Sequence, residues 1–172
     1  MDVNDFVCMD ETGVNIAMAR PYARALKGTR VQASKPYNKG QNMTVLGALS
    51  LEGVLAPMTV EGGTDTEVFS TYVKDILAPA LRPGNVVIMD NLSSHKVEGI
   101  QGAIEAVGAT LEYLPPYSPD LSPIEECWSK VKATLRAKAA RTREMLDVAM
   151  ASALQMITPA DAKGWFAHCG YV

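Results

Sequence analysis

The chain has 172 residues, 48% of them hydrophobic, with a formal net charge of −3 and a pI of about 5.4. That size and apolar content suit one domain with its own core and exclude a disordered tail. No apolar stretch approaches a membrane span, Met1-Asp2-Val3-Asn4-Asp5 lacks a signal-peptide pattern, and three scattered cysteines (Cys8, Cys127, Cys169) fit a reducing cytoplasm.

The run Phe6-Val7-Cys8-Met9-Asp10 is continuous and apolar, so residues 5–10 read as a buried strand ending in an aspartate. Residues 13–40 have no clear period and are rich in basic residues, Gly and Pro, and a loop of that length is usually functional. Residues 43–49 and 54–60 read as a hairpin turning at Leu51-Glu52-Gly53, and Pro57 makes the second arm an edge strand or a bulged one. Thr64 or Asp65 caps a helix with apolar positions Val68, Phe69, Tyr72, Val73, Ile76 and Leu77, closed by Pro79 and Pro83-Gly84. A second buried strand, residues 85–90, also ends in an aspartate. A helix from Lys96 to Val107 stops at Gly108, and Thr110 to Leu114 form a short strand. Helices follow from about Ser122 to Ala140 and from Thr142 to Ile157, and Pro159 opens a last short one. This order predicts an α/β fold, a mixed five-stranded sheet flanked by helices. It is similar to the ribonuclease-H-like fold, whose first and fourth strands lie side by side. Asp10 and Asp90 are then expected at adjacent strand ends.

The acidic pI hides an uneven charge distribution. Arg20, Arg24, Lys27, Arg30, Lys35 and Lys39 occupy residues 20–39 with no acid among them, and Lys130, Lys132, Arg136, Lys138, Arg141 and Arg143 do the same in 130–143. One such segment alone reads as a solvated surface. Two of them flanking a carboxylate site read as a phosphate-backbone footprint, with Arg20, Arg24, Lys27, Arg30, Lys132 and Arg136 as the candidate DNA contacts.

Three carboxylates from distant places are what a divalent-metal phosphodiester enzyme needs. In-line attack requires an activated nucleophile and a stabilised leaving oxygen, and two Mg²⁺ or Mn²⁺ ions do both jobs. Mg²⁺ takes oxygen ligands and needs only one or two carboxylates per ion. Asp10 and Asp90 are the candidate ligands on the strands, and Glu125, thirty-four residues beyond Asp90, completes the second site. His95 and Asn91 are auxiliary candidates. Each residue also has a structural reading. Asp10 can simply end a strand before a turn at Glu11-Thr12-Gly13, and Asp90 can cap the turn Asn91-Leu92-Ser93-Ser94. His95 can serve a helix start. Ser122-Pro123-Ile124-Glu125 reads as a capping box that would occupy Glu125 by itself. Glu126 lies about 100° around the helix from Glu125 and cannot face the same site equally. On that helix Ile124, Cys127, Trp128, Val131 and Leu135 form an apolar stripe, while Glu125, Ser129, Lys132 and Arg136 share another face.

At Met9-Asp10-Glu11-Thr12-Gly13, Ile88-Met89-Asp90-Asn91-Leu92-Ser93-Ser94-His95 and the long block from Leu114-Pro115-Pro116-Tyr117-Ser118-Pro119 to Glu125, the chain resembles the catalytic domain of mariner-type DDE transposases, particularly those of bacterial insertion sequences. The resemblance covers nearly the whole chain, although Ser122 stands where Asn is common. It implies Asp10, Asp90 and Glu125 as ligands of two Mg²⁺ or Mn²⁺ ions. It implies nicking at transposon ends and attack of the freed 3′-hydroxyl on target DNA, usually at TA. Residues 14–40 take the place of a segment that clamps the partner subunit or DNA, so a homodimer on double-stranded DNA is expected in a bacterial cytoplasm, associated with the nucleoid. The family's helix-turn-helix domains are expected to be absent from residues 1–172, a single catalytic domain, and to be supplied by a separate chain if at all. The alternative is an inactive or partner-dependent remnant with a DNA-binding or regulatory role. A phosphoacceptor signalling domain also places aspartates at strand ends but leaves the Pro-rich block unexplained.

Overall fold

In the computed structural model, which describes residues 2–91, 99–116 and 118–171, the first apolar run becomes strand β1 (Phe6–Val14) and pairs antiparallel with β2 (Met43–Ser50). A hairpin leads into β3 (Gly53–Glu61), and two parallel strands, β4 (Val86–Met89) and β5 (Thr110–Tyr113), lie on the other side of β1. The sheet order is β3-β2-β1-β4-β5, the mixed α/β, ribonuclease-H-like arrangement expected from the element order. Pro57 does sit on the edge strand, and the β2–β3 register shifts between Leu46 and Ala48, opposite Ala56 at φ 51°.

β1 does not stop at Asp10. It runs to Val14 because Glu11, Thr12 and Gly13 continue the ladder opposite Leu46, Val45 and Thr44. The expected turn is therefore strand, imposed by a long partner rather than by local propensity. The helix expected from residue 64 is also altered. Asp65 caps α1 (Thr66–Thr71), its Oδ1 accepting from the Val68 N–H at 2.8 Å. The chain then continues as a π-helical segment, Tyr72–Leu77, and a 3-10 turn, Ala78–Ala80. Bonding from i to i+5 returns Leu77 to the side of Tyr72, and Tyr72, Val73 and Leu77 are all fully buried. Of the helix expected from Lys96, α2 (Ile100–Glu105) is described, and its first residues lie outside the described ones.

The two faces of the sheet carry separate cores, as a period of two requires. Val7, Met9, Val87 and Met89 pack against Phe69, Tyr72, Leu77, Ile100 and Ile104. Cys8, Val45, Leu49 and Ile88 pack beneath α3 (Pro123–Lys138), α4 (Arg143–Gln155) and α5 (Pro159–His168). The stripe Ile124, Cys127, Trp128, Val131 and Leu135 of α3 is buried throughout, as its spacing predicts. Thr142 caps α4, and Thr158 with Asp161 forms a capping box on α5. No helix among the described residues is long and apolar enough to cross a membrane.

Candidate active site

The parallel ladder between β1 and β4 ends at Cys8 opposite Ile88. Both residues face α3, so Asp10 and Asp90, each two residues further on, turn to the same side. There they line a cavity of about 340 Å³ together with Asn91, Ser122 and Glu125, and the Pro-rich block before α3 forms its opposite wall. Sequence-distant carboxylates thus meet at one opening.

Glu125 reaches it from the first turn of α3. The expected capping box does not form. Ser122 is the N-cap residue, but its side chain makes no capping bond, and its own N–H donates to the Pro119 carbonyl at 3.0 Å. The 3-10 turn Pro119–Leu121 therefore takes the donor that a Glu125 cap would use, and leaves that carboxylate to the cavity. Glu126 points elsewhere: its charge helps to push up the Cys169 thiol, after burial.

Asp10 is the electrostatic centre of the group. Burial, and then the charges of Glu125 and Asp90, push its carboxyl up from the ordinary 3.8 to about 7, against opposing help from the Glu11 backbone N–H and the Trp128 indole. Trp128 enters because Gly47 stands directly opposite Asp10 in the β1–β2 register. A Cβ on Gly47 would lie 3.0 Å from Trp128 Cη2, so any side chain there would press the indole away from the sheet. The Trp128 N–H is near enough to the Asp10 carboxylate to favour its charge, yet Nε1 reaches no partner with full hydrogen-bond geometry.

Asn91 Oδ1 is likewise buried without a hydrogen-bond partner among the described residues, in the wall of the same cavity. Hard oxygen donors around one opening, one of them an orphaned carbonyl, fit Mg²⁺ or Mn²⁺. Among the described residues no three His, Cys, Asp or Glu side chains converge as a metal cage. His95 lies outside the described residues.

The basic residues divide into two kinds. Arg20, Lys35 and Lys39 share a second, larger cavity, about 970 Å³, with Lys132 and Arg136 of α3. Arg24, Lys27 and Arg30 are exposed on the excursion and do not line it. Three others have structural partners that sequence reading missed. Lys130 pairs with Asp161 at 2.6 Å, and Arg143 with Asp147 at 3.1 Å. The Arg141 guanidinium donates to the carbonyls of Ile16 and Met18, both at 2.9 Å, and so ties the root of the excursion to the end of α3. Arg143 finds its partner four residues on, whereas Lys130 passes over Glu126, the acid four residues before it, for Asp161. The other partners lie 31 and about 125 residues off in sequence.

Solved structures with the same fold include the Mos1 transposase paired-end complex with left transposon end, at 13% identity and a TM-score of 0.79, covering 98% of this chain and 53% of that one. The Mos1 mariner paired-end complex with Mn matches at 16% identity and a TM-score of 0.73, covering 97% of this chain and 52% of that one. The Mos1 catalytic domain with Raltegravir and Mg matches at 12% identity and 0.71, covering 98% and 80%. This chain thus spans about half the length of the transposase chains in the DNA complexes. No curated protein sequence matches. A family model described as DDE superfamily endonuclease matches residues 5–147, a stretch that includes Asp10, Asp90 and Glu125, and the chain belongs to that family.

Proposed function

We propose that this chain is the catalytic domain of a DNA transposase, cutting transposon-end DNA and joining the freed 3′-hydroxyl to target DNA, at TA. The observation that carries the reading is the single cavity lined by Asp10, Asp90 and Glu125. Asp10 on β1 and Asp90 just past the end of β4 would hold two divalent ions, with Glu125 completing the second position and the Asn91 carbonyl oxygen beside them. When bound, Mg²⁺ or Mn²⁺ supplies activation of the attacking oxygen and stabilisation of the leaving one. The protein's part is to orient. β1 and β4 fix two carboxylates on a rigid sheet, and the buried Trp128 fixes how α3 delivers the third. The Mos1 complexes contain transposon-end DNA, and double-stranded DNA is the proposed partner here. Residues 14–40 act as a basic clamp in a homodimer, and recognition of element ends falls to a helix-turn-helix module acting with this chain.

Nicking of supercoiled DNA by the purified chain in Mg²⁺ or Mn²⁺, with Glu125→Gln alongside, tests this. Metal-dependent nicking that the variant loses by about 10³-fold supports it, a few kcal/mol of transition-state charge stabilisation being at stake. Carboxylate-dependent metal binding without nicking would favour the partner-dependent reading, and no metal binding would favour a remnant.

Lys132 and Arg136 make no ion pair among the described residues, and both face the cavity they share with Arg20, Lys35 and Lys39. If this is a phosphate track, Lys132→Ala with Arg136→Ala lowers the slope of log K against log salt by about two units. A slope identical to that of the unaltered protein would make the face ordinary solvated surface.

A further inference from the structure

We propose that Trp128 is a positioning residue, whose indole N–H holds the Asp10 carboxylate in the orientation that receives a divalent ion. The metal part of this inference rests on the functional reading above. The contact itself does not.

Four observations converge on it. Trp128 is 1% exposed, and its Nε1 is buried without a partner of full hydrogen-bond geometry. An unpaired buried donor of this kind costs about 1–3 kcal/mol, and few are kept without reason. The Asp10 carboxylate is the acceptor assigned to that N–H, because the indole packs over the rung that pairs Gly47 with Asp10 and favours the charge of that carboxylate. The ring cannot sink further or slide away across the sheet, because its Cη2 edge already rests over Gly47, the residue paired with Asp10. Finally, Trp128 follows Glu125 by three residues on α3, so one helical turn carries both the third carboxylate and the donor that reaches the first.

A carboxylate that binds a cation with one oxygen leaves the other to be fixed by a hydrogen bond, and the protein groups that do this set ligand orientation and affinity. An indole suits the task. It donates and cannot accept, and it carries no charge that would compete with a cation. A bond from the indole to a charged carboxylate would be shorter and stronger than one to a neutral acceptor.

The chain has two tryptophans, Trp128 and Trp165, so its indole N–H resonances form a two-peak spectrum with an internal reference. The experiment compares the intact chain with Asp10→Asn and Trp128→Phe, by ¹H–¹⁵N spectra without metal and by Mn²⁺ titration. The expected result is that Asp10→Asn moves the Trp128 peak and leaves that of Trp165 in place. Trp128→Phe keeps the ring packing and is expected to lower Mn²⁺ affinity about tenfold, the small end of the range for losing such a supporting group. A Trp128 peak indifferent to Asp10→Asn overturns the proposal, and does so even if Trp128→Phe fails to fold. An Mn²⁺ affinity that Trp128→Phe leaves unchanged also overturns it. If the intact chain binds no Mn²⁺ while the peak still responds to Asp10→Asn, the positioning contact stands and the metal-dependent function falls.

Discussion

Asp10→Asn is expected to abolish metal-dependent cleavage and, in the same protein, to raise the stability of the metal-free fold. The two effects have one cause. Burial and the charges of Glu125 and Asp90 hold the Asp10 carboxyl at about 7, whereas an unstrained carboxyl ionises near 3.8. Between those values the folded chain keeps a proton that the unfolded chain has lost. Stability without metal therefore falls as pH rises from about 4 to about 7, and the loss is complete above that. Asparagine has no charge to desolvate and escapes the loss. Each pKa unit corresponds to about 1.4 kcal/mol, and partial solvent access reduces the total to about 2 kcal/mol at pH 8. Thermal unfolding in a chelator should then show the variant melting roughly 4–8 °C higher at pH 8 and level with the unaltered protein near pH 4. Equal melting at pH 8 would mean that the charge is not strained. A divalent cation should reverse the order, because it stabilises only the chain that binds it. Its affinity for the unaltered chain should climb with pH up to about 7 and then level, since binding displaces the Asp10 proton.

Gly47→Val is expected to damage both stability and cleavage without touching a carboxylate. A Cβ at this position already meets Trp128 Cη2 at 3.0 Å, and valine's two methyls extend further into the ring. Overpacking of a filled core costs about 1–3 kcal/mol. The clash is relieved by displacing the Trp128 ring, and with it α3, whose first turn carries Glu125. A shift of about 1 Å in a reacting group is enough to cost about 10²-fold in rate. Chemical denaturation and the nicking assay should change together, with Gly47→Ala intermediate in both. A Gly47→Val protein of normal stability and activity would show that α3 is not seated through this contact.

The sheet was readable because β1 and β4 carry continuous apolar runs at Phe6–Met9 and Val86–Met89, and Pro57 announced the edge strand and its irregularity. The three carboxylates were readable from their flanking residues, and the fold lines one cavity with all of them. What escaped was set by partners far off in sequence. Glu11-Thr12-Gly13 has the look of a turn until β2 is placed beside it. The Ser122 box obeys the local rule, but the preceding 3-10 turn claims its N–H. Arg141 and Lys130 look like phosphate contacts until Ile16, Met18 and Asp161 are brought to them. Trp128 was correctly assigned to the core stripe, but helical periodicity describes the side a residue faces and not what its one polar atom finds there.

The early end of the β1–β4 ladder governs which changes of chain length this architecture tolerates. Past Cys8 and Ile88 the two strands go separate ways, β1 staying with β2 and β4 with β5. The pleat then sets on which side of the sheet each aspartate emerges. Deleting one residue between Gly84 and Asp90 would send the second carboxylate to the far side, where Val87 and Met89 now pack. Adding a residue between Leu114 and Ser122 leaves the two strand carboxylates on their side of the sheet and acts instead on the cavity wall and on the turn that frees Glu125. Changes of length in the first interval therefore keep the site only when they come in even numbers.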